Sequence, residues 1–461
     1  MKRRLISLLL VLAVLLAFAP GNVIGPGGVN AAEPDKLVTD EGFVYQDNGD
    51  GTATITDYDG TATDITVPNE INGLKVTTIG RSAFENKDLT KVVIQDGISI
   101  VGVGAFQNNK NLTEVKIPES VTEIGGVAFQ FTGLKEIYVP SKVSNVQYVR
   151  PTYAVKAVVS SDNPYFTAVD GIVYSKDMKK LVICPGKKSG EVVVPDGVTE
   201  IGDKAFAGVL SLNGIILPDS VTEIGNSSFW IVGGNQSFRI PESVEIIGEG
   251  NFSTKGLVIG KKGSRAEAYA LEKGCAFMEE KCDFEDVSLN NFYYNAVVWA
   301  CQTEPAVTSG VDSTHFKPLS TCNRAQMITF LWKKAGCPEP VNNENPFTDI
   351  DEDTFYYKAV LWGKERNIVA GKTEDKFAPL DPCTRGQYVL FLWRMNGYPR
   401  AYIDTCPFSD VDMNTDLGKA VLWATSTRIT QGITDTRFGT KRVINRAQAV
   451  TFLMRNTSWG N

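Results

Sequence analysis

The sequence predicts two modules in series: a β-rich solenoid of short coils, then an all-α bundle of repeated helix pairs. Two arrays predict it. One is a run of Ile-Gly or Val-Gly pairs, each followed by a phenylalanine, with glycines at 80, 102, 125, 202, 225 and 248. The other is a constellation near the C-terminus that appears three times at steps of 61 to 63 residues. With 461 residues, 43% of them hydrophobic, the chain can build two or more cores. Its net charge of −7 argues against a nucleic-acid partner.

In chain order, Lys2-Arg3-Arg4 precedes an apolar run from Leu5 to Phe18, the pattern of a secretory signal. Residues 1–32 are assigned to it, with cleavage after Ala31 or Ala32. The run is short for a membrane span, and none is expected in the mature chain. No cysteine precedes Cys184, which excludes a lipidated N-terminal cysteine, and no apolar tail or sorting signal closes the sequence. An exported chain of this kind needs another attachment.

Residues 33–72 read as an N-terminal hairpin and cap. Asn48-Gly49 and Asp59-Gly60 are turn signals within Phe43 to Val67. The loop Asp47-Asn48-Gly49-Asp50-Gly51 is acidic, but its spacing does not fit an EF-hand, and it reads as a hairpin turn. Residues 73–280 read as the solenoid. Each unit carries a short alternating strand ending in proline, as in Leu112-x-x-Val115-x-Ile117-Pro118. Alternation places one apolar row inside the coil. The glycine is expected to permit a tight corner, and the phenylalanine to fill the core between coils. An insert near 141–194 interrupts the array and reads as a strand pair with turns. It is either a break between two sub-arrays or a ligand-facing projection, with Tyr148, Tyr153, Tyr165 and Phe166 as candidate contacts. Gly263 to Ala270 reads as a capping helix.

At these residues the chain resembles the BspA-like leucine-rich repeats of bacterial surface proteins, over roughly Gly42 to Phe277. The resemblance implies a leucine-rich-repeat solenoid that displays a ligand-binding or adhesive surface. The ligand itself is not legible.

The C-terminal constellation begins with Phe284-x-Asp286, Phe347-x-Asp349 and Phe408-x-Asp410. Trp299, Trp362 and Trp423 follow, then Gly310, Gly371 and Gly432, and then Phe316, Phe377 and Phe438. Asn323-Arg324-Ala325-Gln326, Thr384-Arg385-Gly386-Gln387 and Asn445-Arg446-Ala447-Gln448 open a second helix in each copy. Thr384 and Gln387 form a capping box, and Asn323 and Asn445 can cap in the same way. Met327, Phe330 and Leu331 form an apolar stripe that Tyr388, Phe391, Leu392 and Ala449, Phe452, Leu453 repeat. The arginine then falls at the first helical position, where a long side chain can leave the core and face a groove.

These residues resemble the S-layer homology (SLH) family, with repeats at 281–342, 343–403 and 404–461. That resemblance implies a pseudo-threefold all-α bundle whose grooves hold anionic, often pyruvylated, secondary cell-wall polysaccharide without a covalent bond. It places the sugar contacts at Arg324, Arg385 and Arg446, with Asp286, Asp349, Asp410, Trp299, Trp362 and Trp423 nearby. The family's Glu is Gln at 326, 387 and 448, and its Thr is Asn at 323 and 445. An arginine fork suits a ketal carboxylate, and three weak grooves gain strength through avidity. The alternative is structural: arginine pairs with aspartate to hold the repeats together, and tryptophan is core.

Cys322 and Cys383 align with Ile444, so that position reads as small, apolar and buried. Cys282 and Cys406 are also equivalent, which leaves a bridge between them open. His315 is the sole histidine, so a Ser-His-Asp or Cys-His site would have to use it, but it aligns with Lys376 and Arg437 and reads as a basic loop position. No zinc motif, phosphate loop or dinucleotide fingerprint occurs, and no cofactor, metal or enzymatic role is expected. The expected function is adhesion or ligand capture at the cell surface. A structural spacer in the surface layer and an unrecognised glycan-processing enzyme are the alternatives.

Overall fold

A computed structural model describes residues 37–146, 154–230, 232, 237–252, 256–342, 344–403 and 405–457. The signal sequence expected at 1–32, and Tyr148 and Tyr153, lie outside them.

The solenoid opens with the antiparallel hairpin Phe43–Asp47 and Thr52–Tyr58. Its acidic turn uses its own carboxylates: Asp47 accepts from the Gly49 amide at 2.8 Å and Asp50 from the Thr52 amide at 3.0 Å. From there two stacks of parallel strands wind round one core. Asp64–Val67, Lys91–Ile94 and Glu114–Lys116 form one stack. Leu74–Ile79, Ile100–Val101 and Glu123–Ile124 form the other, in which Ile79, Val101 and Ile124 pair in register. The same register returns in the second sub-array at Ile201, Ile224 and Ile247.

The phenylalanines stack as expected. Phe84, Phe106 and Phe129 lie 5.1 and 5.5 Å apart with planes within 7°. Phe206, Phe229 and Phe252 repeat the arrangement at 5.6 and 5.5 Å. The glycines act differently from expectation. None of the six has a positive φ, and the left-handed residue sits two positions later, at Ser82, Gly104, Val127, Lys204, Ser227 and Gly250. What the glycine supplies is close approach. A Cβ on Gly125 would lie 2.5 Å from the carbonyl carbon of Gly102, and one on Gly248 would lie 2.7 Å from that of Gly225. The glycines stack backbone on backbone, so no side chain fits.

The insert holds five strands among the described residues where a strand pair was expected: Lys156–Val159 and Gly190–Val193 pair with the flanking coils, and three lie between them. Phe166–Val169, Ile172–Ser175 and Lys180–Ile183 form a meander, and the last strand runs parallel to Glu200–Ile201. Asp170 and Gly171, at φ 50° and 74°, make its first turn. Val173 packs into the first core and Ile172 and Tyr174 into the second, as period-two alternation dictates. The insert therefore sits between two sub-arrays and continues their sheet. Tyr165 is exposed on it and Phe166 is half-buried.

Seven α-helices occur among the described residues. Helix α1 (Arg265–Lys273) closes the second core with Ala266, Tyr269 and Ala270 and ends at Gly274 in the left-handed conformation. The C-terminal region holds α2 (Tyr294–Gln302), α3 (Arg324–Lys334), α4 (Tyr357–Glu365), α5 (Arg385–Met395), α6 (Asp416–Ser426) and α7 (Arg446–Arg455). Helix α3 packs on α4, α5 on α6, and α7 returns to α2. At the centre, the amides of Cys383, Ile444 and Cys322 donate in turn to the carbonyls of Cys322, Cys383 and Ile444 at 2.9, 2.9 and 3.0 Å. All three side chains are buried, as their alignment suggested, and Cys282 and Cys406 form no disulfide with each other.

The modules share a core. Leu257 and Ile259 of the solenoid belong to the helical cluster. Arg239 Nε bonds Glu280 at 2.6 Å, and the Tyr294 hydroxyl donates to the same carboxylate at 3.0 Å. No helix among the described residues is long and apolar enough to cross a membrane.

Candidate ligand-binding junctions

Each arginine of the triplicate motif reaches out of its own repeat into another. Arg324 donates from Nε to the Phe377 carbonyl at 3.0 Å and from Nη2 to the Ala370 carbonyl at 2.7 Å. Arg446 does the same to Phe316 at 2.9 Å and Ser309 at 2.8 Å, with Thr308 Oγ1 at 3.3 Å. Arg385 donates from Nη2 to the Gln431 carbonyl at 2.8 Å and to Thr430 Oγ1 at 3.3 Å. Its Nε is buried without a partner. The repeats thus bond in the order first to second, second to third, and third back to first.

The helix starts that aim these side chains follow from the sequence. Asn323 and Thr384 form full capping boxes with Gln326 and Gln387, while Asn445 caps through its side chain. Glutamine thus takes the capping role at 326 and 387. The Cα–Cβ bond of a helical residue tilts towards the helix N-terminus, which sends the arginine backwards, towards the neighbouring loop.

The guanidinium groups rest on phenylalanine. Arg324, Arg385 and Arg446 lie 4.6, 4.9 and 4.6 Å from the rings of Phe377, Phe438 and Phe316. A second ring, of Phe391, Phe452 or Phe330, lies within 5.9 Å of each. Burial lowers the pKa of all three, that of Arg385 to about 10, with Arg442 adding to the effect there. Each remains charged at neutral pH.

The aspartates hold the loops that the arginines grip. Asp286 accepts from the Phe316 and Lys317 amides at 2.8 and 2.7 Å. Asp349 accepts from Phe377 and Ala378, both at 2.8 Å. Asp410 accepts from Phe438, Gly439 and Thr440 at 2.7, 2.8 and 3.3 Å. In two repeats one phenylalanine links the parts: its amide meets the aspartate and its carbonyl meets the arginine. The motif glycines sit beneath. A Cβ on Gly310, Gly371 or Gly432 would lie within 2.7 Å of the Phe284, Phe347 or Phe408 ring.

Three expectations are corrected. The arginines do not leave the core: their exposures are 3%, 5% and 7% for Arg324, Arg385 and Arg446. They do not pair with Asp286, Asp349 or Asp410, which are occupied by backbone amides. Trp299, Trp362 and Trp423 are core residues, as the structural alternative had it, and present no ring face to solvent. Sequence reasoning missed the acceptor carbonyls of Ser309, Ala370 and Gln431 and the phenylalanines flanking each guanidinium. Their common step of 61 was visible, but the stripe phenylalanines read as core only.

Two family models match. BspA-type leucine-rich repeats account for residues 60–149 and 186–294 in six copies. The S-layer homology domain matches 346–389 and 407–450. The chain is thus similar to BspA-type leucine-rich repeats over its first matched part and to the S-layer homology domain over its last. Relatives include a cell surface protein of Thermoanaerobacter kivui, 32% identical over 24% of this chain and 15% of that protein. An endoglucanase of Bacillus sp. (strain KSM-635) is 30% identical over 32% of this chain and 16% of its own. The alignments therefore span about a sixth or less of either relative's length. Among solved structures, a leucine-rich repeat protein from Eubacterium ventriosum is 22% identical over 50% of this chain and 72% of its own, with a TM-score of 0.37. A leucine rich cell surface protein from Faecalibacterium prausnitzii is 19% identical over 54% and 96%, with a TM-score of 0.30.

Proposed function

We propose that this is an exported cell-surface protein, held to anionic secondary cell-wall polysaccharide by its C-terminal module, with the solenoid displayed for adhesion or ligand binding. On this reading residues 281–342 are a third S-layer homology repeat, and the helices form a pseudo-threefold bundle. The closed ring of backbone bonds at Cys322, Cys383 and Ile444 supports that symmetry. The observation that carries the binding role is the arrangement of the arginines. Protein hydrogen bonds take Nη2 in all three and Nε in two, and none is made by Nη1 among the described residues. A fixed, charged fork with one end uncommitted is suited to a ketal carboxylate. The aspartates support it indirectly by shaping the loops. The chain is read as non-catalytic, and the endoglucanase likeness as one of attached modules.

Sedimentation of the full chain with purified cell walls, before and after removal of the secondary polysaccharide, tests the anchor. Arg324→Lys, Arg385→Lys and Arg446→Lys together keep the charge and lose the fork. Wall binding should fall at least tenfold, a loss of about 1.4 kcal/mol, in a variant whose circular dichroism remains native. Equal binding to stripped walls would overturn the reading.

A further inference from the structure

The three junctions share one plan but differ in charge. Four residues before each motif arginine stands Ser320, Asp381 or Arg442. The ring order places each of them over the arginine of another repeat. The Arg446 amide donates to the Ser320 carbonyl at 3.0 Å, that of Arg324 to Asp381 at 3.0 Å, and that of Arg385 to Arg442 at 2.8 Å. Arg324 therefore lies beside a carboxylate, which also takes the Lys372 ammonium. At Arg446 the matching residue is the uncharged Ser320. Arg385 lies beside a second cation, exposed Arg442, with exposed Lys441 next to it.

The same junction is short of internal partners. Arg385 is 5% exposed and its Nε has no hydrogen bond, whereas Nε of Arg324 and of Arg446 each meets a phenylalanine carbonyl. A desolvated cation short of one internal hydrogen bond, with a like charge nearby, gains most in electrostatic stabilisation from an incoming anion.

We infer that the Arg385 junction is the principal anion site of this module, that Arg442 is its second cation, and that it takes a saccharide bearing a carboxylate. This rests on the wall-anchor reading and ranks its three junctions. It makes Arg442, a residue outside the triplicate motif, the determinant of the ranking. The solenoid borders this junction: Gln431, whose carbonyl holds Arg385, donates its own side-chain amide to the Ser211 carbonyl at 3.3 Å. Ser309 and Ala370 are exposed at the matching positions. A ligand seated at Arg385 lies next to the first module.

Calorimetric titration of the full chain with a methyl glycoside carrying a pyruvate ketal tests the ranking. Arg442 is exposed, so Arg442→Ser and Arg442→Asp should fold normally, which a thermal melt verifies. Arg442→Asp should raise Kd about tenfold or more, with Arg442→Ser intermediate, since each tenfold step is about 1.4 kcal/mol. Ser320→Asp, which adds a carboxylate at the Arg446 junction, should change Kd by less than about threefold, or about 0.6 kcal/mol. Equal effects at 320 and 442, no effect at 442, or no uptake of the glycoside would overturn the inference. No effect at 442 is also the result expected if the solenoid closes the junction. Wall sedimentation separates this from the anchor reading. Walls bound without dependence on Arg442 would sink the ranking alone. Glycoside bound through Arg442 with no wall binding would sink the anchor alone.

Discussion

Phe106 touches a stacked ring on either side, Phe84 and Phe129, and has no exposed surface. Phe106→Ala leaves a void that neither neighbour can fill without breaking its own stack, so it should cost about 3–5 kcal/mol. The denaturation midpoint of the solenoid should drop at an unchanged slope. Gly125→Ala places a methyl group 2.4 Å from the Val103 amide nitrogen, at an ordinary φ. The penalty there is steric, and coil-to-coil spacing must yield. In Asp410, burial favours the neutral acid, but amide bonds from Phe438, Gly439 and Thr440 outweigh it and hold the pKa below the usual carboxylate value. The folded pKa is the lower one, so this stabilisation is full above the unfolded pKa and fades as pH falls through the folded one. Asp410→Asn should flatten the acid limb of a stability-against-pH curve below about pH 4. At this scale the sequence was legible for residue type but not for purpose. The repeat glycine was visible as a requirement, but whether it serves a turn or a close contact depends on the adjacent coil.

Helix starts were the most legible elements, because a cap and its acceptor lie within four residues of each other. Thr384 accepts from the Gln387 amide at 3.2 Å, and Gln387 returns to the Thr384 amide at 3.0 Å. Thr384→Ala should cost about 1 kcal/mol, seen as faster amide exchange over the first turn of α5. Strand order in the insert was half legible. The turn at Asp170-Gly171 has a local signature, whereas the strand Lys180–Ile183 pairs on one side with Ile172–Ser175 and on the other with the distant Glu200–Ile201. The arginine placements were illegible for a stronger reason. Their acceptors lie 46 to 53 residues away for Arg324 and 130 to 138 away for Arg446. An isolated helix start makes such a side chain look free to reach solvent.

At the scale of the whole molecule, the return of α7 to α2 makes the helical module a closed ring. Arg446 holds the first repeat through Phe316 and Ser309, so its loss strands two carbonyls and an unfilled slot between phenylalanines. Arg446→Ala should destabilise the module by about 3 kcal/mol or more, given about 1.5–3 kcal/mol for each charge-assisted bond. Exchange at the Phe316 and Lys317 amides of the first repeat should accelerate even though the substitution is in the third. The joint between modules has a similar keystone in Glu280, at the end of the solenoid: Arg239, itself held by Asp219, fixes its carboxylate, and the Tyr294 hydroxyl of the helical module donates to it. Arg239→Ala should separate one thermal transition into two in calorimetry.

The ring closure also governs how the protein bears tension. A pull on the solenoid enters the helices at residues 281–283, at the edge of the first repeat. In an open row of repeats that edge would peel away and expose the next. Here the first repeat is clasped from behind by the last, through Arg446 and the Cys322–Ile444 bond. Peeling it means rupturing both seams at once. Drag on the outer part of the molecule is therefore spread over the whole circle of helices instead of unzipping it one unit at a time.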